Sequence, residues 1–439
     1  MTDRRRVAVD ARGRATSIVL SDLRSPPMKV FHLSWMAFLT CFVAWFSVAP
    51  LMPLVREELG LTAEQIGTSI IASVAVTILA RLLVGYACDR FGPRRTYAAL
   101  LVLGAVPVAC LGLVTSFETF LAARLAVGAV GASFVITQAH TSAFFAPNRV
   151  GTANATTAGW GNLGGGLAQL LMPLILAGLL AVGVAEASAW RYALFVPAIA
   201  MLLVGLLYLR VAPDAPAGAE ARPSGAEARA ALRKAARDPR VWSLFAMYGA
   251  CFGVELTINN VAALHFHDHF GLDLVLAGAV ASAFGAMNLF ARTLGGWLSD
   301  RIAAGRGLRG RTQLLVGLLA LEGVTLVIFS QMGSLVLAIA MLVVFSVFVQ
   351  ASEGATFAIV PLVDERGVGA ISGIVGAGGN VGAVLAGFLV RGAGADLGDA
   401  LAWLGTSVVI VSLAGLAMRF SDEEERRAHG LEATAGAAS

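Results

Sequence analysis

Ala80-Arg81-Leu82-Leu83-Val84-Gly85-Tyr86-Ala87-Cys88-Asp89-Arg90 is echoed by Ala291-Arg292-Thr293-Leu294-Gly295-Gly296-Trp297-Leu298-Ser299-Asp300-Arg301. Ala, Arg, Gly, Asp and Arg recur at the same relative positions in both. A second pair, Gly161-Asn162-Leu163-Gly164 and Gly379-Asn380-Val381-Gly382, recurs further along in the same order. All four stretches lie in apolar runs of the roughly 20 residues that a membrane-crossing helix needs. Two helices per half, repeated in the same order and direction, indicate a duplicated unit whose copies are related by an axis along the membrane normal.

Outward from these stretches, about twelve such runs can be counted. Six lie at about 31–53, 64–87, 96–115, 118–140, 151–180 and 190–210, and six at about 241–264, 274–298, 312–331, 334–358, 367–391 and 398–420. Of the 439 residues, 57% are hydrophobic and 14% charged, against about a quarter charged in soluble domains. A chain this apolar has lipid as its solvent. The expected fold is therefore an all-α integral membrane protein with two pseudo-symmetric six-helix halves. Its parts are an N-terminal tail (1–27), a first half (28–210), a linker (211–240), a second half (241–420) and a C-terminal tail (421–439). The linker carries Pro213, Pro216, Pro223, Arg222, Arg229, Arg233, Lys234 and Arg237 and reads as polar. No apolar run or cleavage site closely follows Arg4, Arg5 and Arg6, so the tail reads as basic and disordered, not as an export signal.

Charge fixes an expected orientation. Arg4 to Arg6, Arg90, Arg94, Arg95, the linker, Arg301, Arg306, Arg309, Arg311, Arg426 and Arg427 fall in one set of loops. The opposite set holds Arg56, Arg191, Arg391 and His265, His267 and His269. Both termini and the linker are thus expected in the cytoplasm. The net charge of +4 is small and its basic residues sit between apolar spans, so no nucleic-acid partner is expected. Cys41, Cys88, Cys110 and Cys251 are far apart and read as packing residues. The three histidines alternate in what reads as a solvated loop with no fourth ligand, so no metal is expected. No cofactor and no nucleophile–base pair is indicated, which argues against an enzyme.

Arg81 and Arg292 each lie eight residues before a loop aspartate, roughly 12 Å into the membrane. An arginine there costs at least about 2.5–3.5 kcal/mol and is a functional candidate by default. Pairing with an acid on a neighbouring helix is the plain alternative. Equivalent positions in two related halves are expected to face one another across a central cavity. At about 8 Å and an effective dielectric of about 20 their repulsion would be roughly 2 kcal/mol, which a small anion would relieve. The planar guanidinium fork suits flat oxyanions.

Asn162 and Asn380 offer amide donors at matching positions. Gly159-Trp160-Gly161-Asn162-Leu163-Gly164 contains a G-x-G-x-x-G pattern, but it lies inside an apolar helix with no preceding strand, so it is no dinucleotide site. Gly161, Gly164, Gly379 and Gly382 instead suit close helix packing. Asp89-Arg90 and Asp300-Arg301, at helix ends, suit a gate built from salt bridges and helix-end charges. Arg124 is expected to pack helices, and Glu322, on the ninth span, to be peripheral.

The paired Gly-Asn segments, the paired arginines and Phe252-Gly253-Val254-Glu255-Leu256-Thr257-Ile258-Asn259-Asn260 resemble the nitrate/nitrite porter family of the major facilitator superfamily over residues 31–420. The Gly-Asn segments are specific to that family, whereas the loop Asp-Arg motif is common to the superfamily. The resemblance implies the major facilitator fold and an Arg81–Arg292 clamp on nitrate. It also implies support from Asn162, Asn380, Tyr248 and Phe252, with Phe46 a looser match. Glu255 and Glu353, in apolar spans, depart from the exchanger-type members and point to the uptake branch that serves nitrate assimilation.

The expected activity is proton-coupled uptake of nitrate, and of nitrite, by alternating access in a monomer of the bacterial inner membrane. Glu255 and Glu353 are the proton-coupling candidates. A nitrate/nitrite exchanger, an organic-anion or drug permease of the same fold, and a non-transporting nutrient sensor are the alternatives.

Overall fold

The computed structural model describes residues 7–216, 225–364, 368–392 and 397–425. Among these described residues are twelve helical spans long and apolar enough to cross a membrane. The first to sixth are Pro26–Leu59, Ala63–Gly85, Pro93–Leu113, Phe117–Phe144, Thr152–Ala181 and Ala187–Val211. The seventh to twelfth are Pro239–Phe270, Leu274–Ala303, Gly305–Ser330, Leu335–Val360, Ala370–Gly392 and Leu397–Ala417. No strand occurs among the described residues. This is the all-α membrane architecture expected, because in hydrocarbon each backbone donor and acceptor has to be satisfied within its own helix.

Local sequence sets where spans begin. Gly60, at φ 62°, turns the chain out of the first span, and a reciprocal cap between Thr62 and Gln65 opens the second. Gly92, at φ 88°, followed by Pro93 at the first helical position, opens the third. Asp273 caps the eighth by accepting from the Val275 and Leu276 amides. The fourth span tightens to a 3₁₀ turn at Ala129–Ala132, and the eighth at Met287–Leu289.

The chain packs as two compact units, residues 1–221 with 258–288, and 222–257 with 289–439. In the first unit, spans one and five approach through Gly164 against the Leu39 carbonyl, two and four through Gly128 against Ser73, and three and six through Gly205 against Leu101. In the second unit, seven and eleven meet through Gly249, Gly253, Gly378 and Gly382, eight and ten through Gly295 and Gly354, and nine and twelve through Gly323 and Gly405. The same three pairings, six spans apart, express in packing the repeat read from sequence. Without a side chain, backbones can touch, and dispersion replaces the hydrophobic drive that lipid removes.

Two expectations are corrected, and the linker, expected as polar, acquires a helix. The N-terminal tail is folded from Val7: Ala15 pairs with Phe145, and Val7 and Ala15 join Phe31, Phe144 and Ala153 in a buried cluster. The Val7 amide donates to the Asp22 carboxylate at 3.0 Å and the Ala15 amide to the Phe144 carbonyl at 2.8 Å, so partners remote in sequence hold a segment of weak hydrophobicity. Arg4, Arg5 and Arg6 lie outside the described residues, as do Arg426 and Arg427. The linker contains a helix, Gly225–Arg237, tied down by a 2.5 Å ion pair from Lys234 to Asp364. His265, His267 and His269 belong to the last turns of the seventh span, not to a loop; the His265 and His269 rings stack at 5.3 Å, as i,i+4 neighbours on a helix do.

Candidate functional site

In the second unit, Gly354 lets the tenth span close on the Arg292 backbone and Gly295 lets the eighth close on Ala351. That contact brings Glu353 against Arg292. Both are buried, and Arg292 Nη1 is ion-paired and hydrogen-bonded to Glu353 Oε2. Arg292 Nη2 donates to the Tyr248 hydroxyl at 3.1 Å. Tyr248 stacks on Phe252, ring centroids 5.2 Å apart and planes 7° off parallel, and meets Phe357 edge-on. Gly379 makes room for this stack, since a Cβ there would enter the Phe252 ring. Asn380, next along the eleventh span, is fully buried. The structure therefore groups Arg292, Tyr248, Phe252 and Glu353, with the eleventh-span glycines directly behind the aromatic pair. For Arg292 the plain alternative also holds: it does pair with an acid.

Glu255 is fully buried and faces both Arg292 and Glu353. Among the described residues no hydrogen-bond donor reaches Glu353 Oε1. Two buried carboxyls thus lie within the influence of one guanidinium, and Glu353 is the one ion-paired to it. Ionised together, they would leave an uncompensated charge in a dry interior, which is costly.

In the first unit, Arg81 is buried with its guanidinium 5.5 Å from the Phe134 ring centroid. Phe134 stands just after the 3₁₀ turn of the fourth span and touches Phe38 of the first span at 5.8 Å. Phe38 in turn fills the space that Gly161 leaves open. Asn162 is fully buried on the same helix. Phe46 packs on Phe42 and Trp45 of its own span. The repeat thus keeps its arginine, asparagine and glycines in sequence but not their surroundings: the fourth span gives Arg81 an aromatic face, and the tenth gives Arg292 a carboxylate.

Other groups divide by location. Arg124 is buried in the first unit, where Nη2 donates to Asn260 Oδ1 at 2.9 Å and Nη1 to the Trp45 carbonyl at 3.4 Å, so it ties three spans together. Arg94 donates its amide to Asp214 at 3.1 Å and its Nε to the Leu209 carbonyl at 2.7 Å, which fastens the loop after the second span to the end of the sixth. Arg90 and Arg301 are exposed and lie over Phe91 and Trp297. The side chains of Asp89 and Asp300 lie outside those described.

Sequence reasoning missed three features. Tyr208 joins Ser34 and His140, whose Nε2 contacts the Pro213 carbonyl at 2.8 Å, a buried network closing one end of the first unit. Phe134 and Phe38 carried no signal beyond being apolar. Glu322, expected at the periphery, is fully buried beside the Glu255 and Glu353 group. An acid inside an apolar span was the available signal.

Comparison with known proteins agrees with this architecture. Residues 34–387 match the family described as the Major Facilitator Superfamily. The chain is 42% identical to high affinity nitrate transporter 2.5 of Arabidopsis thaliana, over 86% of this chain and 76% of the relative. It is 37% identical to nitrate transporter 2.2 of Chlamydomonas reinhardtii, over 93% and 82% respectively. It is 31% identical to the nitrate/nitrite transporter NrtP of a Picosynechococcus species, over 81% and 83%. A solved bacterial homolog of the human lysosomal transporter Spinster, inward-facing and unoccupied, shares the fold with a TM-score of 0.66 at 17% identity, covering 94% of this chain and 98% of that one. These relatives are transporters, not enzymes, and the chain belongs to the nitrate/nitrite porter family of the major facilitator superfamily.

Proposed function

We propose that this protein is a secondary transporter that moves nitrate, and nitrite as a second substrate, into the cell together with protons. The observation that carries the reading is the Arg292–Glu353 pair with Tyr248 on the same guanidinium and Glu255 beside it. Carboxylate and nitrate are both planar oxyanions, and the arginine fork accepts either. Nitrate that takes Arg292 displaces Glu353, and a carboxylate freed in a dry interior has to take a proton. Anion and proton then bind together, which is the thermodynamic requirement of symport.

Arg81, Arg292, Asn162, Asn380, Tyr248, Phe252 and Phe46 are assigned to the anion, and Glu255 and Glu353 to the proton. Gly161, Gly164, Gly379 and Gly382 serve close helix contacts. Asp89, Arg90, Asp300 and Arg301 are assigned to gating. The six-plus-six division at 28–210 and 241–420, cytoplasmic termini, a bacterial inner membrane and action as a monomer belong to the same reading. Membrane energetics support coupling, since an anion entering a cell that is negative inside works against about 2.3 kcal/mol per 100 mV.

The test uses proteoliposomes that contain no counter-anion and carry an inward proton gradient. Gradient-driven accumulation of labelled nitrate is expected, weakened in Glu255→Gln and Glu353→Gln. Uptake that needs internal nitrite and ignores the gradient would make the protein an exchanger.

A further inference from the structure

We propose that Glu322 is a proton-binding residue of this transporter, a neutral acid that takes up and releases one proton per cycle through Glu255. The inference rests on the proton-coupled reading above and adds a site to it. Glu322 lies on the ninth span, eight residues before Ser330 and so about 12 Å from that helix end. It is fully buried, and among the described residues neither carboxyl oxygen has a hydrogen-bond donor and it forms no ion pair.

The surrounding elements explain the isolation. From the seventh span, Glu255 and the Cys251 thiol face Glu322. From the tenth come Glu353 and Ser352, whose hydroxyl already donates to the Phe348 carbonyl at 2.8 Å. The twelfth span meets the ninth through Gly323 against Gly405 and Val409, and its one charged residue, Asp399, stands in its first turn, six residues from Gly405. The cation of the group, Arg292, is held by Glu353 and Tyr248.

An ionised carboxylate with neither donor nor cation is unfavourable in such a place, so Glu322 rests protonated. Three carboxyls and one guanidinium balance to zero charge when two protons are bound. The chemistry is one proton bound as O–H on a carboxylate oxygen and later released as H⁺, with no other bond changed. Glu255, which acts on Glu322 and also on Glu353 and Arg292, is the group through which that proton passes.

The experiment measures protons moved per nitrate in proteoliposomes, from a pH-sensitive dye and labelled nitrate in the same sample. Glu322→Gln is expected to lower the ratio by one proton per nitrate, and Glu322→Asp to restore it. The infrared difference spectrum of the purified protein supplies a readout independent of turnover. The wild type should show at neutral pH a protonated-carboxyl band that Glu322→Gln lacks, while the band of the second proton, held by the Glu255 and Glu353 pair, stays in both. An unchanged ratio in Glu322→Gln with a gradient-driven wild type overturns the role of Glu322 alone. Wild-type uptake that ignores the gradient overturns the coupled reading and this one with it. If Glu322→Gln does not transport, the band decides: its absence from the wild type overturns the proposal, and its selective loss in the variant supports it.

Discussion

Gly382→Ala is the smallest change that tests whether helix contact governs transport. A Cβ on residue 382 would sit 2.5 Å from the Gly249 carbonyl carbon and 2.8 Å from its Cα, while ordinary contact begins at 3.4 Å. The obstacle is backbone and cannot rotate away, so the seventh and eleventh spans have to part by about 1 Å. Overpacking of this kind costs about 1–3 kcal/mol. A gap of about 1 Å elsewhere along the seam, at Gly253 and Gly378, forfeits up to roughly half of each dispersion contact. Tyr248 and Phe252 lie on one of these helices and Asn380 on the other, so their geometry shifts by the same amount. A misplacement of about 1 Å can lower a rate about 100-fold. Nitrate uptake in proteoliposomes and thermal unfolding in detergent read the two effects. Gly373→Ala is the control, on the same helix with nothing within 4 Å of its added Cβ, and there alanine should be neutral or stabilising. A Gly382→Ala protein with wild-type uptake and melting temperature would refute the close contact. Gly164→Leu, whose Cβ would lie 2.8 Å from that of Phe42, is expected to fail in the same way.

Three further outcomes are expected. Arg81→Lys and Arg292→Lys should each reduce labelled-nitrate uptake to near background while size-exclusion profiles stay normal, because an ammonium cannot reproduce the planar fork; full uptake would remove that residue from the anion site. Gly92→Ala should destabilise by about 1–3 kcal/mol in thermal unfolding, since φ is 88° and the new Cβ would lie 2.5 Å from the Asp214 carboxylate. The Val7 amide above all, then those of Ser25 and Arg24, holds the Asp22 carboxyl well below its ordinary value of 3.8. Its stabilisation of residues 7–22 is therefore complete above that value and lost as pH falls through the depressed one. Limited proteolysis at neutral pH should leave the wild-type segment intact and cut it in Asp22→Ala.

Sequence and structure divide the rest between them. The number of spans and the duplication were legible because each depends on local chemistry, whereas the ends were not: the seventh span was read to about 264 and runs to Phe270. A run of apolar residues is long enough to cross or it is not, and Thr62 with Gln65, Gly92 with Pro93, and Asp273 close their helix ends with near neighbours. Arg81, Arg292, Asn162 and Asn380 stood out because a polar group at membrane depth is rare enough to be read singly. The N-terminal segment was misread because Val7 and Ala15 gain their burial from Phe144 and Phe145, more than a hundred positions away.

What the sequence by itself determined, then, is a twelve-span duplicated transporter with an arginine and a glycine-flanked asparagine in each repeat. Only the tertiary structure decided that the two arginines live differently, Arg81 against the Phe134 ring and Arg292 against Glu353 and Tyr248. It alone brought Glu322 beside Glu255 and Glu353. These three acids come from three helices, 67 and 31 positions apart along the chain by subtraction of 255, 322 and 353. The electrostatic environment of a buried carboxyl depends on which helices lie alongside its own, and glycine-to-backbone contacts between spans set that, not the residues on either side of it in the chain.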